Sequence, residues 1–311
     1  MKMTERLDAI TSIPVREAEQ PPPKSVKIEL TGKCNLECAY CTKKRRARGI
    51  GEMDQDFYRK LIDDLAKLGV EEVGLFLLGE SFLVDWLPQA IQYAKQKGIP
   101  YTFLTTNATI LKSDRIKDVM NAGLDSLKFS MNYPDEETFQ KITGARKDFF
   151  RRAIDNVKMV GRLKKRRGWT CLLTASYIQY NGEQAKKMQA VLDEIRPWVD
   201  GVYPLPLYNQ AVLEENIDQY TGWAPTAGNL GRADNPRDPL PCWSLFAAHV
   251  AWDGQLVACC FDNDQGFNMG DLNKKEFMKC WNSSKFKKLR QAHLDLDISG
   301  TACEKCLMCE I

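Results

Sequence analysis

Histidine is scarce in this chain: there are two among 311 residues, His249 and His293, and neither has a visible partner in the sequence. No catalytic role is expected of either, and nitrogen ligands for a zinc knuckle are in short supply. Long apolar runs are missing too, and the N-terminus lacks the charged, then apolar, then small-residue order of a secretory leader. A cytoplasmic protein without a membrane partner is expected. One-sided charge is also missing: 44 Lys and Arg against 41 Asp and Glu leave +3, too little to point to nucleic acid. Two basic runs, Lys43-Lys-Arg-Arg-Ala-Arg48 and Arg162-Leu-Lys-Lys-Arg-Arg167, read as solvated loop and helix-end charge. The first follows a cysteine segment directly, so docking of an acidic electron donor is a second reading of it.

Cysteine, by contrast, is abundant, with eleven in a chain that shows no leader, which favours metal ligation over structural disulfides. Three of them lie within eight residues, in Thr31-Gly-Lys-Cys34-Asn-Leu-Glu-Cys38-Ala-Tyr40-Cys41. Three neighbouring thiols cannot pair among themselves, and the next thiol that could complete a zinc site is Cys171. Three thiolates can hold three irons of a four-iron, four-sulfur cluster and leave the fourth open to a small molecule. The spacing, with an aromatic before the third cysteine, resembles the signature of the radical S-adenosylmethionine enzymes. That resemblance implies a [4Fe-4S] cluster on Cys34, Cys38 and Cys41, with S-adenosylmethionine bound at the open iron. Reductive cleavage would then release a 5′-deoxyadenosyl radical that removes a hydrogen atom from a substrate. Flavodoxin or ferredoxin is the electron donor implied by the same resemblance.

With 44% hydrophobic residues the chain has room for one large core, or for a barrel and a small second module. Ser25–Leu30 alternates as a strand that delivers the cysteine loop at its C-terminal end. Asp54 is placed to cap a helix carrying Phe57, Leu61, Leu65 and Leu68, stopped by Gly69. Strands follow at Val73–Leu78, Tyr101–Thr105, Ser126–Met131, Trp169–Tyr177 and Gly201–Leu205. Helices are expected between them, at Leu87–Lys97, Asp114–Asn121, Asp148–Lys165 and Gln184–Ile195. About six alternations imply a parallel sheet with crossover helices, short of the eight that close a full barrel. The fold class expected is α/β, a partial (β/α)6 TIM-like barrel, which the resemblance also implies.

Residues at the C-terminal ends of such strands carry the chemistry of parallel α/β folds. By resemblance, Gly79 and Glu80 in Leu78-Gly79-Glu80 would bind the amino group of S-adenosylmethionine, with Leu78 departing from the family's glycine. Asn107, in Thr105-Thr106-Asn107, and Ser130 and Asn132, in Ser130-Met131-Asn132, would contact its ribose and carboxylate. Asn132 departs from the aspartate common there. Arg146 would bind the carboxylate and Tyr40 would lie against the adenine. Taken one at a time, each reads equally as a turn or cap residue.

Beyond Tyr208 the composition turns loop-like, rich in Asn, Gly and Pro. Cys242, Cys259 and Cys260 follow, and the chain finishes Cys303-Glu-Lys-Cys306-Leu-Met-Cys309. This resembles the SPASM-type extension of radical S-adenosylmethionine enzymes, a small cysteine-rich α+β domain holding auxiliary iron–sulfur clusters. The boundaries expected are an N-terminal extension 1–24, the barrel 25–207, a connecting region 208–241 and the cluster domain 242–311. One auxiliary [4Fe-4S] cluster is expected on Cys242, Cys259, Cys303 and Cys306, with Cys309 able to replace either of the last two; zinc on the same thiolates is the rival. Cys260 reads as a small buried hydrophobe, or as a thiol that returns a hydrogen atom to a substrate radical. Cys171 and Cys280 read as core residues. Tyr208, Tyr220 and Trp223 would close one side of the substrate pocket, or simply pack under a long loop.

Three functions fit these residues. The first is radical oxidation or epimerisation of a small polar substrate such as a sugar or aminocyclitol. It is favoured by the two dozen residues before the first strand, too few for a leader-peptide domain. The second is maturation of a ribosomally made peptide or protein. The third is a non-catalytic iron–sulfur or metal-binding protein.

Overall fold

The computed structural model describes residues 15–45, 48–205, 231–232, 235–236, 241–260 and 267–304. Six strands alternate with helices: β1 (Ser25–Ile28), β2 (Glu72–Gly74), β3 (Tyr101–Thr106), β4 (Ser126–Ser130), β5 (Leu172–Ile178) and β6 (Gly201–Leu205). The intervening helices are α1 (Gln55–Lys67), α2 (Leu87–Gln96), α3 (Ser113–Asn121), α4 (Glu136–Thr143), α5 (Asp148–Arg167) and α6 (Gly182–Ile195). A two-residue pair follows, β7 (Gly231–Arg232) and β8 (Asn235–Pro236). Then come β9 (Ala248–Val250), β10 (Gln255–Val257), β11 (Asn268–Asp271), α7 (Phe277–Trp281) and α8 (Ser284–Leu294).

β1 to β6 lie side by side in chain order, each parallel to the next. Side chains alternate across a strand, so register fixes which residues share a face. Val26, Ile28, Leu104, Leu127, Phe129, Leu173 and Ala175 occupy one face and are fully buried with the apolar sides of the helices. The opposite face carries Lys27, Thr105, Lys128, Thr174, Ser176 and Tyr203, aligned by the pairs Thr105↔Lys128, Lys128↔Thr174 and Ser176↔Tyr203. Phe103, Leu172 and Ile178 share this face, which is the inside of the open barrel.

Two features differ from expectation. β2 is shorter than Val73–Leu78, because Leu75 makes the last ladder bond, to Phe103 O at 3.0 Å. The chain then turns away, with Ser81 Oγ donating to Leu75 O and Leu78 N donating to the Glu29 carboxylate. Helix α4 was not anticipated. Asp135 caps it by accepting Thr138 N–H at 2.7 Å, and Gly144 ends it at φ +67°, a conformation that suits glycine.

The C-terminal segment from residue 242, expected as a small α+β domain, is joined to the barrel through the sheet. β9 pairs in parallel with β1, and β10 and β11 continue antiparallel, so all nine strands form one sheet. The N-terminal lead joins the same region. Trp281 Nε1 donates to Pro21 O, Asn282 Nδ2 donates to Gln20 O, and Gln20 N donates back to Asn282 Oδ1. Among the described residues, no helix is long and apolar enough to cross a membrane.

Candidate functional site

Cys34, Cys38 and Cys41 follow β1 in a loop held from both sides. Gly32 N donates to Gly51 O, while Glu37 N and Ala39 N donate to Thr143 O and Ile142 O, the terminal carbonyls of α4. Leu36 is buried with Tyr133, Phe139 and Ile142 in a small core beneath the loop. The helix that sequence reading missed is thus the platform of the cysteine loop: it needs acceptors, and a helix C-terminus has free carbonyls.

Burial pushes the Cys34 thiol up, and pushes Cys38 to about 12, with the charge of Cys41 adding to it. A thiolate forms readily at such a place only when a cation replaces the proton. Close thiols with polar groups beside the sulfurs fit an iron–sulfur group. Among the described residues, no three His, Cys, Asp or Glu side chains converge as ligands of a single metal ion.

Gly79 passes against the backbone of this loop, where a Cβ would sit 1.9 Å from Thr31 O. Its neighbour Glu80 is 2% exposed and accepts from Phe82 N at 3.2 Å, Thr106 Oγ1 at 2.9 Å and Asn107 N at 2.9 Å. Burial raises its pKa and these bonds oppose the rise. A carboxylate offers about four acceptor positions, so one remains, on Oε2, for a further donor. Asn107 Nδ2 donates to Asn35 Oδ1 at 3.0 Å and lies 3.9 Å from Cys34 Sγ, which ties the end of β3 to the cysteine loop.

Ser130 ends β4, half-buried on the interior face. Asn132 donates from Nδ2 to Tyr40 Oη at 3.1 Å, and its Oδ1 is buried without a hydrogen-bond partner among the described residues. Thr105 Oγ1, on the interior face, is likewise buried without a partner among the described residues. Two orphaned acceptors beside the cysteine loop suit a ligand rich in hydroxyl and amino groups. Tyr40, expected against an adenine, has its hydroxyl in a buried network, donating to Tyr133 Oη at 3.0 Å. Arg146 is not brought into the site: its side chain is 78% exposed and pairs with Asp148 at 2.9 Å. The turn after Gly144 points it to solvent, which spacing alone did not reveal.

Of the C-terminal thiols, Cys242 precedes a short 3-10 turn, Trp243–Phe246, with its backbone N donating to His293 Nδ1. Cys259 and Cys303 are buried in the main core, and Cys260 packs against it. A hydrogen bond from Cys259 pulls the Cys260 thiol down against burial, aided by Lys27 and Lys128. Cys306 and Cys309 lie outside the described residues, as do Tyr208, Tyr220 and Trp223. Cys171 and Cys280 are buried, as expected.

Sequence reading missed three interior residues. Lys27 and His249 are register partners across β1 and β9, and Lys128 stands on the same face of β4. His249 is fully buried with neither ring nitrogen bonded among the described residues, and burial beside Lys27 keeps it neutral. The available signal was a lysine inside each of two strands otherwise flanked by apolar residues.

An open parallel barrel with three thiols at the end of its first strand is the architecture of a cluster-dependent radical enzyme. The Radical SAM superfamily model matches residues 28–194 and the chain belongs to that superfamily; an iron–sulfur cluster-binding domain, SPASM, matches residues 242–310. Its cofactors are S-adenosylmethionine with a [4Fe-4S] cluster, and auxiliary iron–sulfur clusters. PqqA peptide cyclase of Xanthomonas oryzae is 23% identical over 286 residues, covering 85% of this chain and 75% of that protein. BtrN, in complex with AdoMet and 2-DOIA, superposes with a TM-score of 0.59 at 18% identity, over 91% of each chain. Streptococcus suis SuiB, bound to precursor peptide SuiA, gives 0.63 at 14% identity, over 88% of this chain and 67% of that one.

Proposed function

We propose that this chain cleaves S-adenosylmethionine at a cluster held by Cys34, Cys38 and Cys41, and oxidises or epimerises a small polar substrate lodged in the barrel. The observation that carries this reading is the set of polar side chains on the interior face, Lys27, Thr105, Lys128, Ser176 and His249. When bound, the cofactors supply hydrogen-atom abstraction and one-electron transfer. Glu80 offers its remaining Oε2 position to the ammonium group, and Gly79 lets the backbone approach. Asn107, Ser130 and Asn132 hold the remaining polar groups of the nucleoside and amino acid. Lys27 and Lys128 hold a negatively charged group of the substrate, whose charge they complement. Cys242, Cys259, Cys303 and Cys306 or Cys309 hold the auxiliary cluster. In the epimerising outcome the Cys260 thiol returns the hydrogen atom. Flavodoxin or ferredoxin supplies the electron.

The test is anaerobic reconstitution followed by dithionite and S-adenosylmethionine, with 5′-deoxyadenosine read by chromatography. Cleavage is expected in the wild type and lost in Glu80→Ala with iron content retained. Intact clusters without cleavage in the wild type would leave a non-catalytic iron–sulfur protein. A second reading, peptide maturation, is favoured by the names of PqqA peptide cyclase and of SuiB with its precursor peptide. Cleavage stimulated by a short peptide encoded beside this gene, and not by small acids, would establish it instead.

A further inference from the structure

Four side chains behind the cysteine loop form a hydrogen-bonded line whose two phenols, Tyr40 and Tyr133, have no part in the function proposed above. Asn132 Nδ2 donates to Tyr40 Oη at 3.1 Å, Tyr40 Oη donates to Tyr133 Oη at 3.0 Å, and Tyr133 Oη lies 3.0 Å from Cys38 Sγ. Each phenol has one proton to give. Tyr40 spends its own on Tyr133, so its oxygen needs a donor, and the amide of Asn132 provides one. Tyr133 accepts from Tyr40, which leaves its own proton for Cys38. A thiolate bound to iron only accepts, so the direction along the line is set from both ends.

We infer that Tyr133 raises the reduction potential of the cluster on Cys34, Cys38 and Cys41 by donating a hydrogen bond to the Cys38 sulfur, with Tyr40 and Asn132 as positioning residues. The inference rests on the cluster assignment proposed above. A hydrogen bond to the thiolate offsets negative charge that increases on reduction, so it favours the reduced state. The line is firmly built. Tyr180 Oη donates to Asn132 O at 2.7 Å, and the Tyr133 ring meets Phe139 edge-on at 4.9 Å between centroids. Asn132 matters for its amide: an aspartate there only accepts, and would draw the Tyr40 proton away from Tyr133. Tyr40 and Tyr133 are the two phenols in the line, and Asn132 contributes an amide. Removing both phenols therefore removes every hydroxyl donor in the line.

The test is a redox titration of the reconstituted full chain, following the electron paramagnetic resonance signal that S-adenosylmethionine perturbs. That perturbation separates the open cluster from an auxiliary one. Tyr133→Phe keeps the ring and removes the donor. It is expected to shift the reduction equilibrium about tenfold towards the oxidised state, which is about 59 mV for one electron. Tyr40→Phe and Asn132→Asp should shift it less in the same direction, and the double Tyr variant most. A midpoint unchanged in Tyr133→Phe with the cluster loaded overturns the inference. Should Tyr133→Phe fail to take up iron, unchanged midpoints in both Tyr40→Phe and Asn132→Asp overturn it equally. A wild type with no signal perturbed by S-adenosylmethionine would instead overturn the cluster assignment.

Discussion

Gly79 shows how one missing side chain lets two loops meet. Any Cβ there would lie 1.9 Å from Thr31 O, and a backbone atom cannot step aside as a flexible side chain could. Gly79→Ala should therefore move the Glu80 turn away from the cysteine loop, at a cost of about 2 kcal/mol. The chemical denaturation midpoint should fall, and 5′-deoxyadenosine formation should fall with it. A variant of normal stability and full cleavage would show that the two loops are not coupled. At this scale the cysteines and the Gly79-Glu80 pair stand out in the sequence, because each combines a rare residue type with a fixed spacing, and the structure sets Gly79 against the cysteine loop. Lys27 and Lys128 do not, since a lysine in a strand becomes informative only once its face is known. Arg146 erred in the other direction: it fitted a pattern in the chain, yet its partner is the nearby Asp148.

Among the elements, α4 carries more than its eight residues suggest. Its last carbonyls hold Glu37 N and Ala39 N, so weakening the helix should loosen Cys38. Asp135→Ala removes the N-cap at a cost of about 1 kcal/mol, together with the ion pair to Lys187 at 2.7 Å. Asp135→Asn keeps a capping oxygen. Iron bound per chain should drop in the alanine variant and recover in the asparagine one. Equal iron in all three proteins would remove α4 from the account. The cap at Asp135 and the stop at Gly144 were both visible in the sequence, but a short helix between a strand end and a long helix is easily read as loop.

Helices α5 and α6 are joined by charge. Arg151 and Lys158 both bond Glu194, Lys158 at 2.8 Å, and together they hold its pKa at about 2, below the ordinary 4.5. A depressed carboxylate stabilises the fold above its unfolded value and loses that contribution as pH falls through its folded one. Glu194→Gln should thus lower stability by under about 1 kcal/mol at neutral pH, since the pair is partly exposed. The difference from wild type should hold above pH 4.5 and close as pH falls towards 2, read from urea midpoints. A gap that widens on acidification would contradict this assignment.

For the whole molecule, the chain closes on itself through Arg290. This guanidinium is fully buried, lies 3.9 Å over the Trp281 ring and 3.8 Å over Phe286, and donates to Leu245 O, Trp281 O and Asn282 Oδ1. It also reaches Ala18 O at 3.2 Å, in the lead that precedes β1. Burial drives its pKa down to about 9, so its charge is kept by carbonyl acceptors and ring faces. The link to the lead was not legible, because Ala18 stands 272 residues from Arg290 in sequence, as Gln20 stands 262 from Asn282. The β9–β1 pairing escaped for the same reason: periodicity shows that a segment is a strand, but not which edge it joins. Arg290→Met keeps the apolar stem and leaves several buried carbonyls without a donor, a loss of about 3 kcal/mol. Because those carbonyls belong to the lead, to the 3-10 turn after Cys242 and to α7, the damage should appear at both ends of the chain. Hydrogen exchange is expected to rise in 15–24 and 241–304 while β2 to β5 stay protected. Exchange rising evenly over the whole sheet would mean instead that the nine strands unfold as one unit, with Arg290 no more than one contact among many.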